Sequence, residues 1–254
     1  MTEREISLVV PVHHCNGSLR RTLEACDRYL SALAPQCELV LVDDHGKAPR
    51  ASEVLDEFSR REAVTLLRND RNRGKGYSVK RGMLAASGRY RVFTDADLAY
   101  SLDEIWNIVA ALRAGSDIAV ACRALPHTRS TTGGGFNELR YTYTRRFMSI
   151  AFNRLVRLTL LPGVLDTQAG LKGYSASAAE RVFSRVSIPG FGFDLECLFV
   201  ARRLGLRVEQ VPVRFRYDDQ SSTVRVVRDA VTMTSDLARI RWRAWSGEYE
   251  ATGH

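Results

Sequence analysis

Between residues 6 and 124, short apolar runs alternate with amphipathic stretches, and that alternation restricts the fold more than any other feature. The runs are ISLVVPV (6–12), CELVLVDD (37–44), AVTLLRN (63–69), RYRVFTDAD (89–97) and DIAVACRA (117–124). They are rich in β-branched residues and too short to be buried helices. Their near-continuous apolar character marks strands covered on both faces. Helical spacing returns in SLRRTLEACDRYLSAL, ASEVLDEFSRR, the stretch after RNRGKGYS, and SLDEIWNIVAALRAG. Ser18 is a candidate N-cap for the first. Ser101 and Glu104 form a candidate capping box for the last. Strand and helix in turn predict an α/β fold around a mostly parallel central sheet with flanking helices.

The pattern changes after residue 124. PHTRSTTGGG reads as a loop, and residues 136–161 as one or two helices, apolar and Arg-rich together. DTQAGLKGYS reads as a turn and short strand, followed by helices in SASAAERVFSRV and GFDLECLFVARRLG, the latter stopped by Gly205. RVEQVPVRFR reads as one strand, and a long helix ends the chain. Neither a repeat nor a linker interrupts the 254 residues. One domain is expected over 1–254.

Charge narrows the partners. Lys and Arg total 37 against 29 acids. The excess concentrates where Arg123, Arg129, Arg140, Arg145, Arg146, Arg154 and Arg157 face only Glu138. A basic stretch suits phosphate-bearing ligands or an anionic membrane face. Tyr141, Tyr143, Phe147 and Phe152 lie within it, but their helical spacing favours packing over base stacking, so nucleic acid is not expected. The five cysteines have no CxxC spacing, which argues against structural zinc and a disulfide framework. A reducing cytoplasm fits. No stretch reaches the roughly 18 apolar residues of a spanning helix, so any membrane contact is expected to be peripheral, through 136–161 and the terminal RIRWRAW.

In α/β sheets ligands bind beyond the carboxyl ends of the strands. Asp43 and Asp44, Asp95 and Asp97, and Arg123 all fall at such ends. Read as extended chain, Asp95 and Asp97 share a face and can reach one hard cation, Mg2+ or Mn2+, whose shell phosphates and water complete. In RNRGKGYS, two glycines let backbone approach a phosphate and Lys75 adds a point charge. The Walker spacing is absent. His13 and His14, on opposite faces of a strand end, do not make a metal pair.

PVHHCNGSL, VLVDDHG, NRGKGYSVKRGMLAASG, FTDADL, DTQAGLKGYS and FGFDLECLFVARRLGLRVEQVPV occur in the order and spacing of family 2 glycosyltransferases. Over about 5–245 the chain most resembles the branch of dolichyl-phosphate mannose and glucose synthases. The resemblance implies a GT-A fold, a UDP- or GDP-sugar donor, a divalent cation and inversion at the anomeric carbon. It implies a nucleotide-binding half (1–124), an acceptor-side half (125–235) and a basic amphipathic C-terminal helix and tail (224–254).

Carried over by position, Pro11, Val12, Val42 and Asp44 would line the nucleotide pocket, with Lys75 beside it. Asp95 and Ala96 would meet the nucleoside, and Asp97 would be the main cation ligand. Arg123 would contact the diphosphate or an acceptor phosphate, and so would Arg129. Asp166, Gln168 and Lys172 match the turn near the sugar. Asp194 and Glu196 match the acidic pair at the acceptor end. Three positions depart from the family pattern: His13-His14-Cys15 in the base pocket, Ala99 where Gln is common, and Thr223 where Lys is common. The acceptor is either a polyprenyl phosphate, already anionic and needing no base, or a hydroxyl of a small molecule or saccharide, for which Asp194 would be the base. A nucleotidyltransferase or a non-catalytic nucleotide-sugar binder is the more distant alternative, since no Gly-rich loop follows the first strand.

Overall fold

The computed structural model describes residues 4–13, 19–31, 36–46, 49–125, 128–131, 154–216 and 226–250. The Ser18 cap, the aromatic and basic segment 132–153, and Thr223 with its neighbours lie outside them. In chain order the first half contains β1 (Ile6–Val12), α1 (Leu19–Ser31), β2 (Cys37–Asp43), α2 (Pro49–Ser59), β3 (Val64–Arg68), α3 (Lys75–Ala85), β4 (Tyr90–Thr94), α4 (Glu104–Arg113) and β5 (Ile118–Cys122). There follow β6 (Arg129–Thr131), a helical turn over 154–159, β7 (Leu171–Ser175), α5 (Ala176–Phe183), α6 (Phe193–Arg203), β8 (Val208–Pro212), β9 (Arg214–Arg216) and α7 (Val226–Trp245).

Seven strands form one sheet in the order β3-β2-β1-β4-β7-β5-β8. All pairings are parallel except those of β7, which runs antiparallel to both β4 and β5. Burial follows position. β2 has six buried residues in succession and β4 is buried throughout. The edge strands β3 and β8 are less covered, mixing half-buried and exposed residues with Val211 the one buried among them.

Three local expectations are corrected. The fourth strand stops at Thr94, so Asp95 and Asp97 sit in a turn closed by Leu98 N donating to Asp95 O at 3.2 Å. Helix α4 starts at Glu104, with Asp103 at the cap position and no side-chain cap bond. Ser101 instead offers its carbonyl to Glu104 N at 3.0 Å. RVEQVPVRFR breaks at Val213, with β8 in the large sheet and β9 pairing β6 in a second, two-stranded one. Part of the expected 126–135 loop is therefore strand.

Candidate active site

The first layer of the site is a loop held by a buried acid. Asp44 follows β2 and is 1% exposed. Its carboxylate accepts from Asn69 Nδ2 at 2.7 Å, Arg73 N at 2.7 Å and Gly74 N at 2.8 Å. His13 Nδ1 lies 2.9 Å from Asp44 O, and His13 Nε2 lies 2.8 Å from Asn72 Nδ2. This network fixes the 69–74 segment over the ends of β1 and β2. Asp44 thus supports the site from beneath. Val12 and Val42, at 1% and 0% exposure, are core residues, and only Pro11 of that group is partly open.

The glycines of RGKG have a different use from the one expected. Gly74 has φ +93°, and a Cβ there would come within 2.5 Å of Pro189 O. A Cβ on Gly76 would meet Ile188 O at 2.5 Å and Phe193 Cβ at 2.6 Å. Pro189 O accepts from Gly76 N at 2.7 Å and from Tyr77 N at 3.3 Å. The first turn of α3 is therefore closed by the 188–190 backbone, and the phosphate-cradle reading of these glycines is corrected. No sequence signal beyond the Pro-Gly pair at 189–190 points to that partner.

Lys75, at the start of α3, reaches the acidic turn. Its Nζ lies 2.6 Å from Asp95 Oδ1, with side chains 20% and 30% exposed. Burial opposes its charge, but Asp95, then Asp194 and Asp97, outweigh burial and raise its pKa. Asp95 N donates to Gly170 O at 3.2 Å, and its carboxylate occupies the space that a Cβ on Gly170 would need. Ala96 O accepts from Thr22 Oγ1 at 2.9 Å, which ties the turn to α1. Leu98 completes it at φ +49°, a left-handed conformation uncommon for leucine.

Asp97 is exposed, and its Oδ1 accepts from Ala99 N at 3.0 Å. Loss of water around the carboxyl, then the charge of Asp95, raise its pKa. The two carboxylates form an oxygen donor set of the kind a hard cation favours. No cluster of three or more His, Cys, Asp or Glu occurs among the described residues. A cation here would depend on phosphate oxygens for the rest of its shell, so the pair fits an ion arriving with a diphosphate.

Arg123, one residue beyond β5, forms a fork with Asp166. Its Nε and Nη2 donate to Asp166 at 2.7 and 3.0 Å, and its backbone N donates at 3.1 Å. Asp166 is almost fully buried while Arg123 stays 39% exposed. Burial works to raise the Asp166 pKa, but the Arg123 hydrogen bonds and charge hold it below the usual carboxylate value. Gln168 N donates to Asp166 Oδ1 at 3.3 Å. Buried Tyr100 feels the charges of Arg123, Asp166 and Asp95 together and belongs to the same cluster, which the sequence reading missed. Arg129 is described only by its backbone, on β6.

The acidic pair on α6 separates. Residues two apart on a helix point roughly 200° from one another. Asp194 is 3% exposed and ion-paired with Lys172, which is 0% exposed and also donates to Ala169 O at 2.7 Å. Burial raises the Asp194 pKa, and Lys172 and Lys75 pull it back. Glu196, also 0% exposed, accepts from Ser187 N at 2.8 Å, Ile188 N at 2.7 Å and Tyr249 Oη at 2.9 Å, and pairs with Arg243. Asp194, the base candidate for a hydroxyl acceptor, is a buried group paired with Lys172. Glu196 is a brace between the 187–190 segment and α7.

Residues 7–183 match the family model described as Glycosyl transferase family 2. The chain is 25% identical over 247 residues to the dolichyl-phosphate beta-glucosyltransferase of Dictyostelium discoideum, covering 94% of this chain and 74% of that protein. It is 30% identical over 231 residues to the enzyme of the same name from Drosophila melanogaster, covering 85% and 68%. Among solved structures, glucosyl-3-phosphoglycerate synthase from Mycobacterium tuberculosis, crystallised with Mn2+, UDP and phosphoglyceric acid, aligns with a TM-score of 0.66. That alignment has 17% identity and covers 93% of this chain and 78% of that one. The family match over 7–183, the similarity to these relatives and the likeness in fold agree: the chain belongs to family 2 of the glycosyltransferases and is a nucleotide-sugar-dependent glycosyltransferase with the GT-A fold.

Proposed function

We propose that this enzyme transfers a sugar, with inversion, from a nucleoside diphosphate sugar to a polyprenyl phosphate. The observation that carries the choice of acceptor is the state of Asp194. A hydroxyl acceptor needs a base within hydrogen-bond reach, and the carboxyl expected for that task is buried against Lys172. A phosphate acceptor is already a nucleophile and needs none. The two relatives named dolichyl-phosphate beta-glucosyltransferase support the same acceptor class and make UDP-glucose the first donor to test.

In this reading Asp95 and Asp97 hold Mg2+ or Mn2+ together with the donor diphosphate. The bound ion would supply positive charge for the leaving group. Asp97 binds through an exposed carboxylate, and Lys75 keeps Asp95 oriented from the protein side. Arg123, fixed by Asp166 and 39% exposed, contacts phosphate oxygens of donor or acceptor. Preorganised charge of this kind is usually the largest catalytic contribution. Pro11, Ala96 and Gln168 complete the donor pocket, supported from below by Val12, Val42 and Asp44. A lipid acceptor places the enzyme at the cytoplasmic face of a membrane.

The test is a transfer assay with UDP-glucose and other UDP- and GDP-sugars, Mn2+ or Mg2+, and two acceptor sets: short-chain polyprenyl phosphates and hydroxyl acceptors such as phosphoglycerate. The expected product is an acid-labile glycosyl phosphate. Transfer confined to hydroxyl acceptors would overturn the reading.

A further inference from the structure

The last helix carries a face that no described part of the molecule covers. Asp236, Leu237 and Ile240 are buried, with Arg243 and Ala244 half-buried on the same side. A step of about 100° per residue puts Ala238, Trp242 and Trp245 opposite them. Trp242 is 60% exposed and Trp245 86%. Arg241 Nη1 donates to Thr159 O at 2.8 Å, so this helix lies against the 154–163 segment. There Leu155 and Leu158 are exposed as well, at 43% and 77%. Leu158 and Arg241 line a groove of about 670 Å³ whose walls include Phe199, Arg202 and Arg203.

The exposed charge on these segments is mostly basic. Arg154, Arg157, Arg202, Arg203, Arg239 and Arg241 are all exposed. Glu248 and Glu250, the carboxylates beside them, are paired with Arg243 and Arg203. α6 rises about 1.5 Å per residue, so Arg202 stands roughly 12 Å from Asp194 and the site around it. A second copy of the chain would set arginine against arginine across a two-fold contact. Exposed indole rings on this helix, exposed leucines on the 154–163 segment it lies against, and exposed guanidinium groups on both match the boundary between lipid headgroups and acyl chains.

We propose that this face docks the protein on an anionic bilayer, with Trp242 and Trp245 at the headgroup boundary and the arginines on lipid phosphates. No described helix is long and apolar enough to cross a membrane, and this contact requires none. The assignment stands apart from the identity of the acceptor.

The experiment is co-sedimentation of the full chain with vesicles of phosphatidylcholine alone or mixed with phosphatidylglycerol, at low and high salt. Binding is expected on the anionic vesicles, falling as salt rises, with a blue shift of tryptophan emission. W242A/W245A should weaken partitioning by about tenfold or more, and R154E/R157E should remove most of the dependence on anionic lipid. Both variants should keep the wild-type melting temperature and wild-type turnover of a water-soluble acceptor. Absence of binding at low salt, or undiminished binding by W242A/W245A, would overturn the assignment. So would a tryptophan-dependent dimer that forms without lipid.

Discussion

Glu38 and Asp97 stand at opposite ends of the same sheet and have opposite fates. Glu38, near the start of β2, is buried and fully employed. It accepts from Ser7 Oγ at 2.5 Å, Ser87 N at 2.6 Å and Ser87 Oγ at 2.9 Å, and pairs with Arg4. Burial works to raise its pKa, yet those donors prevail and the pKa is lowered. Asp97, beyond the end of β4, is exposed and has its pKa raised by lost hydration and by Asp95. One carboxylate is satisfied by the fold and the other is under tension within it. Glu38 belongs to the frame, and the resistance to charge at exposed Asp97 suits a carboxylate arranged for a ligand.

The largest effect that could sharpen this contrast concerns Asp194, which lies near the rim yet is paired like a frame residue. K172M should leave a buried carboxylate unpaired and destabilise the protein by about 3–5 kcal/mol, read as a fall in urea midpoint. A loss below about 1 kcal/mol would move Asp194 back among the ligand-facing acids. Next comes D97N, which should lower transfer by about 100-fold or more and weaken Mn2+ binding in calorimetry, without lowering the melting temperature. A protein that melts early would break the contrast. E38Q should do the reverse, with turnover at low temperature near wild type and stability down by about 1–3 kcal/mol.

The smallest effect is in pH dependence, where the two acids have opposite signs. The Glu38 pKa is lowered in the folded state, so its contribution is present above the unfolded pKa and is lost as pH falls through the folded value. The Asp97 pKa is raised, so folding is opposed above its folded pKa and the penalty is relieved as pH falls through it. Urea midpoints measured from about pH 7 to about pH 3 should show the gap between wild type and E38Q closing in acid. D97N, if it differs at all, should start at or above wild type and converge with it.

The α/β alternation was legible because each strand and helix carries its own period. The acidic turn was legible too, since D-A-D directly after an apolar run puts its carboxylates at the rim of the sheet whether the strand includes them or stops short. The reversed insertion of β7 was not, because LKGYS carries no mark of the direction in which its neighbours run. The closure of α3 by Pro189 was hidden for a similar reason: glycine admits a phosphate or a backbone carbonyl equally well, and only the tertiary fold decides. Asp194 and Glu196 looked like one functional pair in sequence. Helical rotation divides them, and their partners Lys172 and Arg243 come from distant segments.

The reversed strand also has a consequence for biosynthesis. β5 ends at Cys122 and among the described residues pairs with β7 and β8 alone, and β7 does not begin until Leu171. As the chain leaves the ribosome, β1 to β4 can assemble in order while β5 waits with both edges bare. A fragment cut after residue 124 would keep that strand permanently widowed, with both edges open to aggregation.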